Sequence, residues 1–118
     1  MCFHFSLDTD PESLGNRYDI SAFEEDYPLI EEDFTLPQFH INGYNFNLHP
    51  VITNSNPTGF EMMHWGLVPV WAKSEEKAKD IRAKTLNARI ETAFEKPSFR
   101  NSIGKKHCLI PATGFFEW

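Results

Sequence analysis

Residues 36–53, LPQFHINGYNFNLHPVIT, decide how this chain folds. β-Branched and aromatic residues fill both ends of the stretch, and Asn42-Gly43 supplies a turn signal between them, so the pattern predicts strands joined by a connection. Further on, NSNPTG (54–59) reads as a second turn and FEMMHWGL (60–67) as a strand that ends at Gly66. The period then changes. In SEEKAKDIRAK (74–84), Ser74 caps a polar helix whose acids precede its bases, the order the helix dipole favours. TLNARIET (85–92) reads as a strand or extended loop, followed by a short helix that Pro97 stops. HCLIP (107–111) and GFFEW (114–118) read as two strands across a PATG turn.

Toward the N-terminus, Cys2–Ser6 alternates Phe3 and Phe5 with polar residues and suits a short strand. Asp10-Pro11-Glu12 opens a helix running to Arg17, with Asp as cap and Pro at the first helical position. Ser21 caps a second short helix carrying Phe23 and ended by Pro28, and the acidic run 24–34 is a loop or an exposed face. Strands and scattered helices without regular alternation predict an α+β fold in one domain, residues 1–118.

A chain of 118 residues, 41% hydrophobic, can bury one modest core. No apolar run approaches the ~20 residues that span a bilayer. No charged-then-apolar leader precedes Cys2, so a reducing cytoplasm with free Cys2 and Cys108 is expected. The net charge of −6 hides an asymmetry: residues 1–62 set Arg17 alone against eleven acids, whereas residues 63–118 hold ten bases against six. That distribution suits a basic surface on an acidic body, and equally a solvated helix of mixed charge.

The chain begins MCFHF. Removal of an initiator Met ahead of a small residue leaves Cys2 with an α-amine and a thiol on adjacent carbons. That pair can trap a carbonyl in a way neither group does alone. Read from position only, Cys2 is equally a small buried hydrophobe. A metal site drawn from Cys2, His4, His107 and Cys108 has enough ligands, but its spacings match no common zinc pattern, so neither metal nor cofactor is expected.

MCFHF, HWGLVPVW, LNARIET and CLIPATGFFEW, in that order, resemble the SOS response-associated peptidase (SRAP) family of abasic-site processing proteins. The resemblance implies a mostly antiparallel, strongly curved, barrel-like sheet with a few peripheral helices. It also implies that Cys2 bonds covalently to abasic sites in single-stranded DNA. On the matching positions, Cys2, Asn87 and Glu117 carry the chemistry, and Arg89, Trp71, Trp65 and His4 meet the DNA. Phe3-His4 stand where most relatives have Gly-Arg, which weakens the DNA contact assigned to that place. The family's histidine lies downstream of GFFEW, so the chain, which stops at Trp118 inside an apolar strand pattern, is expected to be the N-terminal part of a longer domain with impaired activity alone. Residue by residue the bland readings stand beside these: Trp65 as core, Arg89 as a partner of Glu91, and Lys73, Lys77, Lys79, Arg82 and Lys84 as a solvated helix face. Two rival functions share these residues, a thiol-dependent autoprotease or peptidase and a non-catalytic single-stranded DNA-binding module.

Overall fold

The structure, a computed structural model, describes residues 1–21 and 35–117. Its strands are β1 (His4–Leu7), β2 (Gln38–Asn42), β3 (Leu48–Thr53), β4 (Asn56–His64), β5 (Cys108–Leu109) and β6 (Gly114–Phe115); its helices are α1 (Pro11–Tyr18), α2 (Glu75–Lys84) and α3 (Ile90–Ala93). They form an α+β fold with two antiparallel three-stranded sheets, ordered β2-β1-β6 and β4-β3-β5. Among the described residues these two sheets are small and open, and no closed barrel is found. The expected helix after Ser21 and the acidic run lie outside the described residues.

Local chemistry explains most elements. Asp10 accepts from the Ser13 amide at 2.9 Å and from its hydroxyl at 2.6 Å, so α1 starts where the cap stands; the same bonds, the side-chain one foremost, lower the Asp10 carboxyl. Ser74 accepts from the Lys77 amide at the start of α2. Asn42-Gly43 makes a connection and not a hairpin: Asn42 Oδ1 accepts from the Tyr44 amide, a 3-10 turn follows at Gly43–Asn45, and the chain leaves one sheet for the other. The turn expected over 54–59 is shorter, because β4 begins at Asn56 and includes Pro57. β4 is an edge strand, where a missing ladder donor can face outward. HCLIP and GFFEW each give only two paired residues, and to different sheets: β5 lies on β3, β6 on β1.

Phe5, Leu7, Leu14, Ile20, Ile41, Ile52 and Phe60 form the core, with Tyr18, Leu36, Met62 and Trp65 packed against it. The chain turns out of β4 through Gly66 at φ +102°, where a side chain would press on the Arg82 carbonyl. His49, 4% exposed, meets Phe5 edge-on at 5.4 Å between ring centres. Burial first, and His64 second, lower its pKa from 6.5 to about 4. The unfolded imidazole therefore takes up a proton near 6.5 and the folded one only near 4, so stability falls as pH falls through that window. A shift of this size corresponds to roughly 3 kcal/mol. Urea unfolding at about pH 7 and about pH 4.5 should show that loss in the parent and a smaller one in His49→Leu. Equal acid sensitivity in both would refute the assignment.

Candidate functional site

Strand pairing brings the two ends of the described chain together. β6 lies antiparallel to β1 with Phe5 opposite Phe115, and the Phe116 amide donates to the His4 carbonyl at 3.0 Å. Continued by one step, this register sets Glu117 beside the first residues. The Met1 amine lies 3.5 Å from Glu117 Oε2, an ion pair whose carboxylate is 45% exposed.

A second path delivers Asn87. The Thr85 hydroxyl, at the end of α2, donates toward the Leu67 carbonyl at 2.8 Å, and the Trp65 indole donates to the Leu86 carbonyl at 2.7 Å. Pinned by these bonds, the chain presents Asn87, whose Nδ2 donates to the Cys2 carbonyl at 2.8 Å. Cys2 is half-buried and its thiol donates to the His4 carbonyl at 3.2 Å. Cys2, Asn87 and Glu117 thus meet at one place, although 85 and 115 positions separate the last two from the first. Asn87 grips the carbonyl of Cys2, one peptide beyond the Met1–Cys2 bond. It therefore holds the residue in place and does not polarise the carbonyl that an autoprotease would attack.

The remaining site residues of the sequence reading are placed as follows. Trp65 stands edge-on to Phe5 at 5.6 Å, and Gly43 lies so close beneath its ring that a Cβ there would come within 3.0 Å. Its partly buried ring packs against the core, and its indole N–H is committed to the Leu86 carbonyl. Trp71 is 41% exposed and donates to the Pro97 carbonyl at 3.3 Å. Arg89 is exposed at the start of α3 and, among the described residues, makes no ion pair with Glu91. On α2, Lys79 and Lys84 are paired with Glu75 and Asp80, which tempers that face as a phosphate track. His4 Nδ1 sits 3.0 Å from His40 Nε2.

His40 escaped the sequence reading. The register puts Asn42 opposite His4, so His40 is the diagonal neighbour on the same face, a relation visible only once β1 and β2 are paired. Tyr44 escaped as well: its ring stacks on Phe3 at 5.4 Å and 21°. Among the described residues no three His, Cys, Asp or Glu side chains gather as a metal site, and no helix is long and apolar enough to cross a membrane.

The α+β domain thus holds a half-buried free cysteine one residue from the terminal amine, with Asn87 on its carbonyl and the Glu117 carboxylate on the preceding residue's amine. The profile of the SOS response associated peptidase (SRAP) family matches residues 1–118, and the chain belongs to that family. It is 34% identical over its whole length to the abasic site processing protein YoqW of Bacillus subtilis, and covers 48% of that protein. It is 30% identical over 94 residues to the abasic site processing protein YMR114C of Saccharomyces cerevisiae, with 80% of this chain and 24% of that one aligned. A crystal structure of a protein from Bacteroides thetaiotaomicron superposes with a TM-score of 0.79 at 40% identity, over 99% of this chain and 48% of that one. The chain spans about half the length of YoqW and of the Bacteroides protein, or less of the other relatives.

Proposed function

We propose that this chain is the cysteine-bearing part of an abasic-site processing protein. Once Met1 is removed, Cys2 traps abasic sites in single-stranded DNA as a thiazolidine. The observation that carries the reading is the convergence of Asn87 on the Cys2 carbonyl and of Glu117 on the terminal amine. The names of the relatives supply the substrate class. The chain acts on DNA in the cytoplasm in this reading, and its two open sheets are parts of one curved sheet completed by the rest of the domain.

The chemistry follows from the groups present. The ring-opened sugar offers an aldehyde. The neutral amine of Cys2 adds to its carbon, and the resulting carbinolamine loses water to give an imine. The thiol then adds to the imine carbon: a C–S bond forms, the thiol proton passes to nitrogen, and a five-membered ring closes. Glu117 can take the proton released by the attacking amine and return it to the departing hydroxyl. Asn87 keeps the Cys2 backbone fixed while its amine and thiol act in turn. Arg89 and Trp71 offer a flanking phosphate a cation and a flanking base an exposed ring.

The test is a denaturing gel of the full-length protein after incubation with single-stranded DNA containing one abasic site. A heat-stable slower band is expected, lost when an extra residue blocks the terminus. Cleavage of a peptide with no adduct would instead point to a peptidase, and a shift seen only on a native gel to a binding module. Asn87→Ala should slow adduct formation by roughly 3- to 10-fold, the effect of one lost neutral hydrogen bond of about 1 kcal/mol. An unchanged rate in a quench-flow time course would remove Asn87 from the site.

A further inference from the structure

Beside Cys2 the structure holds an aromatic pair that the reaction above does not use. Phe3 follows Cys2 directly, and its ring lies against Tyr44 at 5.4 Å between centres and 21° between planes. The pair is fixed from both sides. The Gly43 amide donates to the Phe3 carbonyl at 2.9 Å, and the Tyr44 amide donates to Asn42 Oδ1 at 3.0 Å. Tyr44 is nevertheless 51% exposed, whereas the core aromatic Phe5, two positions on from Phe3, is 7% exposed. A large ring held rigid by its backbone, with Phe3 at one face and half its surface in water, does little for the core.

We propose that the Phe3–Tyr44 stack is a subsite for the nucleobase adjacent to the lesion in single-stranded DNA. The proposal rests on the reading of Cys2 as the group that captures the abasic sugar. An abasic nucleotide has no base, so its neighbour loses a stacking partner on one side. That base gains a replacement if an aromatic ledge stands next to the residue that holds the sugar. Stacking is tolerant of sequence because every base has a flat π face, so the subsite selects single-stranded DNA without selecting a base. The positions also suit each other. Phe3 cannot drift from Cys2 because they share a peptide bond, and Tyr44 cannot drift from Phe3 because Gly43 is bonded to the Phe3 carbonyl.

The experiment uses the full-length protein and an abasic oligonucleotide with 2-aminopurine immediately 5′ or 3′ of the lesion, since stacking quenches this base. The parent should quench the fluorophore on one of the two sides. Tyr44→Ala should abolish that quenching and weaken binding on the order of tenfold or more, the usual effect of removing a stacking ring. Tyr44→Trp should restore both. Tyr44→Leu, which keeps apolar bulk at the 3-10 turn, should melt like the parent yet lack the quenching; this separates stacking from a structural role. Quenching that persists in Tyr44→Ala and Tyr44→Leu, or that occurs on neither side in the parent, overturns the subsite. The gel assay runs on the same samples. Parent protein that quenches but yields no heat-stable adduct overturns the cross-linking reading and keeps the subsite, whereas adduct without Tyr44-dependent quenching does the reverse.

Discussion

Cys2→Ala abolishes the heat-stable adduct with abasic single-stranded DNA while leaving a species that borohydride can trap. The two halves of this expected result have separate causes. Alanine at the mature terminus keeps the α-amine, so the aldehyde is still converted to an imine. It lacks the thiol, so the imine is never closed and water returns it to aldehyde when the sample is heated. Ring closure within one residue replaces an encounter between two molecules, an advantage worth roughly 7 kcal/mol or more in well-oriented systems. The loss of heat-stable product is therefore expected to be total on a gel. Cys2→Ser should fall close to Cys2→Ala, because a hydroxyl is a far weaker nucleophile than a thiolate. Heat-stable adduct from Cys2→Ala at the parent's level, without borohydride, would falsify the ring.

Glu117→Gln should slow adduct formation by about 10²- to 10⁴-fold, the usual range for removal of a positioned proton shuttle. The carboxylate stands 3.5 Å from the terminal amine of the intact chain. Removal of Met1 shifts that amine one residue along, by about the 3.8 Å between neighbouring Cα atoms, and the proposed role requires the exposed carboxylate to turn toward the new terminus. Glutamine keeps the size and the hydrogen bonding but carries no exchangeable acid proton. The saturating rate should fall, whereas the DNA concentration at half-saturation should stay level or drop, since one negative charge has left the path of a polyanion. A single-turnover rate within twofold of the parent would take Glu117 out of the chemistry.

The features legible in the sequence are those governed by neighbours along the chain. Asp10 and Ser74 announced α1 and α2 because a cap bonds amides two or three residues away. Gly66 signalled the exit from β4, which stops two residues earlier at His64, because its φ of +102° is a local demand. Partners across the sheets were not legible. Nothing in Asn42-Gly43 says that the chain must change sheets there, and nothing in PATG says that β5 and β6 part company. Those outcomes depend on which hydrophobic faces close over Phe5, Leu7 and Ile52. Pro50 shows the same limit. It lies in β3, the middle strand of its sheet, yet β5 pairs only with Ile52 and Thr53, so at Pro50 the ladder runs to β4 alone and a missing donor is tolerated.

The site divides in the same way. Cys2, Asn87 and Glu117 were visible through a resemblance of motifs, and the physical bond between them, Asn87 to the Cys2 carbonyl, needed the β1–β6 pairing and the Trp65–Leu86 anchor. Trp65 looked like both core and DNA contact in the sequence. Its close approach to Gly43 and its committed indole N–H make it a support for the segment that carries Asn87. His40 and Tyr44 carried no motif, because their significance comes only from the pairing of β1 with β2, which sets His40 beside His4 and the 3-10 turn's Tyr44 beside Phe3.

The sharpest measurement is peptide mass spectrometry of the nuclease-trimmed adduct after denaturation and thiol alkylation. The account predicts a sugar remnant on Cys2 as the first residue, that cysteine unalkylated because its sulfur lies in the ring, and Cys108 alkylated. A remnant on any lysine, or on a Cys2 that still accepts the alkylating reagent, would contradict it.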